Sequence, residues 1–183
     1  MRYIDSDLDS IQEMRNLIQN AQISFLQLQN LEQNELNVYG EKFIDEIEKE
    51  ADGLIKDFIS GNQYGLESDE IFLFHHFLDK FKQTIQQENY IGILEGDIGE
   101  KTIEIGAPLG VISVLLPAFP TFTLLVNIIL LAMKSGNTMV VVANKHTKEV
   151  TIEAFKRLVD LAEQVGYPEG SIGITETISD SSV

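Results

Sequence analysis

The 23 residues from Val111 to Met133 contain no charged side chain. A membrane-spanning helix needs only about 20 apolar residues, so this run is either a span or the buried part of a folded domain. Two prolines decide between them. Val111–Leu116 (VISVLL) is a β-branched and aliphatic run, the pattern of a strand buried on both faces. Pro117 and Pro120 follow it; each lacks a backbone donor and disfavours a helical residue before it. One continuous helix through both is therefore excluded. Thr121 or Thr123 can cap a new helix, in which Leu124, Leu125, Ile128, Leu131 and Ala132 recur at helical spacing. Lys134 falls in its last turn and Gly136 can supply the left-handed residue that ends it. The segment reads as strand, tight turn and buried helix, and no membrane association is expected.

The same grammar continues downstream. Asn137–Ala143 (NTMVVVA) is a second apolar strand, Lys148–Val165 an amphipathic helix ending at Gly166, and Ser171–Thr175 (SIGIT) a third strand after the turn sequence YPEGS. Apolar strands alternating with helices predict a parallel sheet with right-handed crossovers. Ligands of such sheets bind beyond the carboxyl ends of the strands, here Leu116–Phe119, Val142–Asn144 and Thr175–Thr177. The first half is different. Leu8–Gln29, Glu32–Ile59 and Asp69–Gln86, the last with Ser68 as its N-cap, carry one apolar face each and read as helices. Tyr90–Leu94 and Lys101–Ile105 flank EGDIGE and read as a hairpin. The expected organisation is a helical segment (1–89), a hairpin arm (90–107) and a partial βαβαβ unit (108–183). The fold class is α/β, with N-terminal helices and a β-hairpin leading into a partial Rossmann-like parallel sheet.

Charge and cysteine usage remove several functions. The formal net charge is −16, with 22 acidic against 8 basic side chains in residues 1–105 and 7 against 5 in residues 106–183. An acidic surface repels phosphate backbones and anionic headgroups, so no nucleic-acid or membrane-surface partner is expected. The start, MRYIDSDLDSIQEM, has no basic and apolar leader, and the cytoplasm is the expected compartment. With no cysteine there is no disulfide, thiolate metal site or thiol nucleophile.

No catalytic constellation emerges from the residues alone. His75 and His76 are neighbours on a helix, about 100° apart, and cannot share a metal. His146 follows the second strand near the expected cleft. EKFIDEIEKEAD is a solvated helix face, and Glu176, at the mouth of the third strand, reads as a solvent-facing carboxylate. The glycines of GILEGDIG neither follow a strand nor open a helix, so no phosphate-binding loop is supported.

The run IEIGAPLGVISVLLPAFPTFTLLVNIILLAMKSGNTMVVVANKHTKEV, with LVDLAEQVGYPEGSIGIT after it, resembles the N-terminal, cofactor-binding half of the aldehyde dehydrogenase superfamily. Upstream, SGNQYGLESDEIFLFHHFLDKFKQTI followed by IGILEGDIGEKTIEIGAPLGVI is similar to its coenzyme-A-acylating branch. The resemblance covers residues 8–176 and is a diffuse pattern without one diagnostic motif. It implies NAD or NADP as cofactor, with coenzyme A as a further ligand, held along Leu116, Pro117, Ala118, Phe119, Val142, Ala143 and Asn144. It also implies a homo-oligomer, since in that family the corresponding hairpin arm joins subunits.

The family's chemistry does not carry over residue by residue. Its nucleophilic Cys attacks the aldehyde carbonyl before hydride passes to the nicotinamide, and this sequence has no Cys. Its oxyanion-stabilising Asn follows the Pro that matches Pro117, where Ala118, Phe119 and Pro120 stand and none offers a side-chain donor. A Lys that holds the ribose in the simple oxidising branch corresponds to Val142; the acylating branch lacks it too. The glycine-containing turn that would cradle the pyrophosphate lies beyond Val183.

The expectation is therefore a truncated or degenerate member, inactive alone, which would meet a small aldehyde only if a C-terminal half completed it. TETISDSSV, with no helix stop or closing strand, leans toward truncation. The alternative is a non-catalytic binding or assembly module that pairs with itself or with a full-length relative. In either case an uncovered Val- and Ile-rich face of the sheet is expected to drive association, with Val140→Lys or Ile103→Lys opposing it.

Overall fold

Thr121 opens the central helix of the fold: its hydroxyl accepts the Leu124 amide at 3.0 Å, immediately after Pro120. The helix runs Phe122–Ser135 and ends at Gly136, whose φ of 64° is left-handed. Phe122, Leu125, Val126, Ile129, Leu130 and Met133 form one buried stripe, and Thr123, Ala132 and Lys134 beside it are buried too, so the covered face is wider than one stripe. This helix is packed on two sides.

The computed structural model describes residues 2–97 and 102–177. In chain order the elements are α1 (Arg2–Leu28), α2 (Gln33–Asn62), α3 (Glu67–Gln83), a short 3-10 turn (Ile85–Gln87), β1 (Gly92–Asp97), β2 (Thr102–Gly106), β3 (Val111–Leu115), α4 (Phe122–Ser135), β4 (Thr138–Val142), α5 (Lys148–Gln164) and β5 (Ile172–Ile174). β3, β4 and β5 form a parallel sheet in that order, with Ser113 beside Val140 and Val140 beside Gly173. Side chains alternate across it. Ile112, Val114, Met139, Val141, Ile172 and Ile174 join the main core with α4 and α5, which α2 covers from outside. The opposite face meets α1: a Cβ at Gly173 would lie 2.8 Å from Leu17 Cδ2, so α1 packs closely on β5 and a larger residue there would make the Leu17 side chain shift. Ser24 of α1 donates to the Glu169 carbonyl, and Glu13 accepts the Glu176 and Thr177 amides, so α1 grips both ends of β5. No helix among the described residues is long and apolar enough to cross a membrane.

Three expectations need correction. β3 is not buried on both faces: Ser113 is exposed and Leu115 is 58% exposed, because α1 sits chiefly over β4. The sheet face is not uncovered either. Val140 lies under α1 at 1% exposure, so Val140→Lys would break the fold rather than probe a surface. Ser68 does not cap α3: Leu66 holds the N-cap position without a side-chain bond, and Ser68 donates to Asp69 instead.

The hairpin pairs Gly92 with Gly106 and Ile93 with Ile105, with a bulge between Ile93 and Glu95; β1 runs on through Glu95–Asp97, the first half of the expected turn, and residues 98–101 lie outside the described residues. Gln33 fixes its base. Its side-chain oxygen accepts the Tyr90 and Ile91 amides at 2.6 and 3.1 Å, while its nitrogen donates to the Lys134 carbonyl. Lys134 is itself buried, donating to Asn37 and to the Gln86 carbonyl, and desolvation lowers its pKa. Beyond this anchor Ile93, Ile103 and Ile105 are exposed.

Tyr167 closes the loop before β5, with its hydroxyl donating to the Asn137 carbonyl at 2.9 Å. Burial, with a smaller contribution from Tyr39, pushes its pKa far above the usual 10.0. The unfolded chain releases this proton above pH 10 and the folded chain does not. Its stability is therefore fully present below that pH and falls as pH rises, by up to about 1.4 kcal/mol per unit. Urea unfolding between pH 9 and 11 is expected to show this loss, and Tyr167→Phe to flatten it while lowering neutral-pH stability by about 1 kcal/mol.

Candidate functional site

The crevice where ligands of parallel sheets bind is built here by three strand exits and two helix starts. Leu116 donates to the Val142 carbonyl at 3.0 Å and Thr175 to the Val141 carbonyl at 2.9 Å, which keeps the strands paired up to their ends. The β3 exit then turns through Pro117–Pro120 into α4. The β4 exit turns through Asn144–Thr147, where the Asn144 side chain accepts the His146 amide at 3.2 Å. Thr147 joins the two loops, its hydroxyl donating to the Ala118 carbonyl at 3.0 Å and accepting from Thr151.

The sequence-derived residues separate by accessibility. Leu116, Val142 and Ala143 are buried and form the floor; Ala118 and Asn144 are half-buried; Pro117 and Phe119 are exposed. A ligand can reach the first three only from the open side of the loops above them. Phe119 stands between Tyr64, stacked on it at 4.7 Å, and His146 at 6.3 Å, so rings from three separate loops meet at the mouth. Glu70, reaching from α3, accepts both the amide and the hydroxyl of Thr123 through one carboxylate oxygen and so holds the start of α4 in place.

Electrostatics mark this end of a strongly acidic chain. The N-terminus of α5, whose N-cap Thr147 makes no side-chain cap bond, opens on the crevice, where a helix dipole favours an anion; that of α4 is already taken by the Glu70 carboxylate and the Thr121 hydroxyl. Lys145 stands in the second loop and Lys148 opens α5, and neither forms an ion pair among the described residues. Glu176 sits at the third exit, exposed and paired with Lys156. Away from the crevice, a groove of about 320 Å³ between α2 and α5 is lined by Leu54, Phe58, Val150 and Arg157. The Arg157 guanidinium is closed there by a two-oxygen contact with Glu50, which leaves it no free fork for a ligand. Among the described residues, no cluster of three or more His, Asp or Glu side chains could hold a metal ion.

Sequence reasoning missed Tyr64, Glu13, Glu70 and Thr147. Only Thr147 carried a local signal, as a Thr before a helix; the others act across the fold.

No protein-family model matches the sequence, and no curated protein does. Solved structures do. A probable aldehyde dehydrogenase from Listeria monocytogenes superposes at a TM-score of 0.85 with 25% identity, over 97% of this chain and 39% of its own. An acetylating aldehyde dehydrogenase from Geobacillus thermoglucosidasius gives 0.85 and 24% over 100% of this chain and 40% of its own. The fold is aldehyde-dehydrogenase-like. A betaine aldehyde dehydrogenase from Staphylococcus aureus, in complex with NAD+, shares the fold at a TM-score of 0.68 and 18% identity over 88% of this chain. The resemblance read from the PLGVI and YPEGSI segments is thus matched in three dimensions, and an acetylating enzyme stands among the structural relatives, as the upstream segments imply. This chain spans about two fifths of the length of the first two relatives.

Proposed function

We propose that this chain is a cofactor lobe of aldehyde-dehydrogenase type that holds a nicotinamide dinucleotide weakly at the carboxyl ends of β3 and β4 and performs no covalent chemistry of its own. The observation that supports this best is the crevice itself: the N-terminus of α5 with Lys145 and Lys148 beside it, a cationic spot on a chain with net charge −16. Those groups suit the phosphates of NAD or NADP. Such a cofactor would supply hydride transfer; the chain's part would be to bind and orient it. Coenzyme A, with its own phosphates, is the second ligand these groups would accept. An aldehyde substrate would require a C-terminal half that provides the nucleophile.

Calorimetric titration with NAD+, NADP+ and coenzyme A tests this. A dissociation constant near or above millimolar is expected, corresponding to no more than about 4 kcal/mol. Lys145→Glu with Lys148→Glu is expected to weaken it by a further tenfold or so, the effect of about 1.4 kcal/mol of lost attraction. Micromolar affinity, or affinity untouched by the charge reversals, would contradict the proposal.

The exposed isoleucines favour a second, compatible role in assembly. A two-stranded hairpin is marginal alone, yet this one leaves Ile93, Ile103 and Ile105 each more than 60% exposed. Self-association is the role they suit, and Ile103→Lys tests the hairpin's share in it.

A further inference from the structure

We infer that Tyr64 is a gate residue of the crevice: its ring lies on Phe119 and must lift before a planar group of a ligand stacks there. The inference rests on the cofactor reading above and names the residue that decides which part of the cofactor is held.

The loop that carries Tyr64 is short, with only Gln63–Leu66 between the end of α2 and the start of α3. Gln63, the C-cap of α2, has a φ of 55° and is the one non-glycine residue with positive φ among the described residues. Gly65 follows at 87°. Left-handed backbone therefore flanks Tyr64 on both sides, and the Asn62 side chain accepts the Tyr64 amide at 2.7 Å. Residues with side chains are disfavoured in that region and persist where their surroundings hold them, often at ligand clamps and switches. Here the turn delivers a ring to the β3 exit, where it stacks on Phe119 with centroids 4.7 Å and planes 24° apart.

The two partners are not held equally. Phe119 sits between Pro117 and Pro120, and Thr147 pins the preceding Ala118 carbonyl. Glu70 fixes the first turn of α3 to the start of α4. The Tyr64 hydroxyl makes no hydrogen bond among the described residues, so the ring rather than the hydroxyl ties its loop to the crevice. Tyr64 is the member that lifts, through Gln63–Leu66.

An aromatic pair favours its contact by roughly 2- to 12-fold. A ligand that needs the ring displaced binds through the open minority, and its apparent affinity falls by that factor. The phosphates escape this cost, because Lys145, Lys148 and the N-terminus of α5 belong to the other loop. The crevice therefore takes a pyrophosphate unit directly and a stacked ring only after Tyr64 has moved.

Calorimetric titration of the unmodified chain, Tyr64→Phe and Tyr64→Ala with inorganic pyrophosphate and with NAD+ tests the gate. Tyr64→Ala is expected to tighten NAD+ binding by roughly 2- to 12-fold and to leave pyrophosphate binding unchanged. Tyr64→Phe, which keeps the ring, is expected to behave as the unmodified chain with both. Should the alanine variant fail to fold, NMR on the unmodified chain decides: proton contacts between the Tyr64 and Phe119 rings are expected to vanish as NAD+ saturates and to survive pyrophosphate. NAD+ affinity that is unmoved or weakened in Tyr64→Ala, or ring contacts that persist at saturation, would overturn the gate and leave the cofactor reading standing. Binding of neither probe at about 10 mM, in Tyr64→Ala as in the unmodified chain, would overturn both.

Discussion

Mixed with NAD+ or NADP+, coenzyme A and a panel of short aldehydes, the purified chain is expected to form no reduced cofactor above background. Aldehyde oxidation of this type begins with a covalent adduct, and the sequence has no cysteine to form it. The loop after β3 makes the deficit worse. Ala118, Phe119 and Pro120 have no side-chain donor for a developing oxyanion, and the nearby Thr147 hydroxyl is committed to the Ala118 carbonyl. Loss of a nucleophile alone costs on the order of 10⁴- to 10⁶-fold in rate. An absorbance assay at 340 nm checks this, and turnover near 1 per second, ordinary for an enzyme, would contradict it.

Phe122→Ala is expected to be the most damaging single truncation near the crevice. The ring is fully buried at the first turn of α4, where it meets Phe58 of α2 at 6.0 Å and Phe74 of α3 at 5.9 Å. It therefore ties two helices of the acidic half to the helix that frames the site. Removing it loses the burial of an aromatic side chain and leaves a cavity between three helices that pack on other elements too and cannot close over it. The expected cost is about 3–5 kcal/mol, a large part of the roughly 5–15 kcal/mol that holds a domain together. Phe122→Leu is expected to restore over half of it. Urea unfolding monitored by circular dichroism measures both, and a loss below about 1 kcal/mol for the alanine variant would show that the site collapses more easily than its packing implies.

Much of this fold was legible because the signals are local. Pro117 and Pro120 break the apolar run where β3 gives way to α4, Thr121 caps that helix, and Gly136 ends it. The alternation of apolar strands and helices announces a parallel sheet, and with it the place of the crevice. The failures share one cause: sequence patterns report the kind of residue, not its neighbours. VISVL reads the same whether α1 covers it or sits chiefly over its neighbour, so the exposure of Leu115 was invisible. The Tyr64–Phe119–His146 rings come from three loops, and Glu13 binds amides more than 160 residues away. Ser68 is a good capping residue on composition, yet α3 starts at Glu67, two residues before the expected Asp69, and leaves Ser68 inside its first turn.

The role assigned to the crevice is most directly tested by two-dimensional NMR of the 15N-labelled chain titrated with NAD+. The expected result is weak, saturable shifts at Ala118, Phe119, Asn144, Lys145, His146 and Thr147, with residues Leu54, Phe58 and Ala154 of the groove between α2 and α5 unmoved. Shifts centred on that groove, or no shift at the strand ends at about 10 mM cofactor, a concentration well above the expected millimolar dissociation constant, would contradict the assignment.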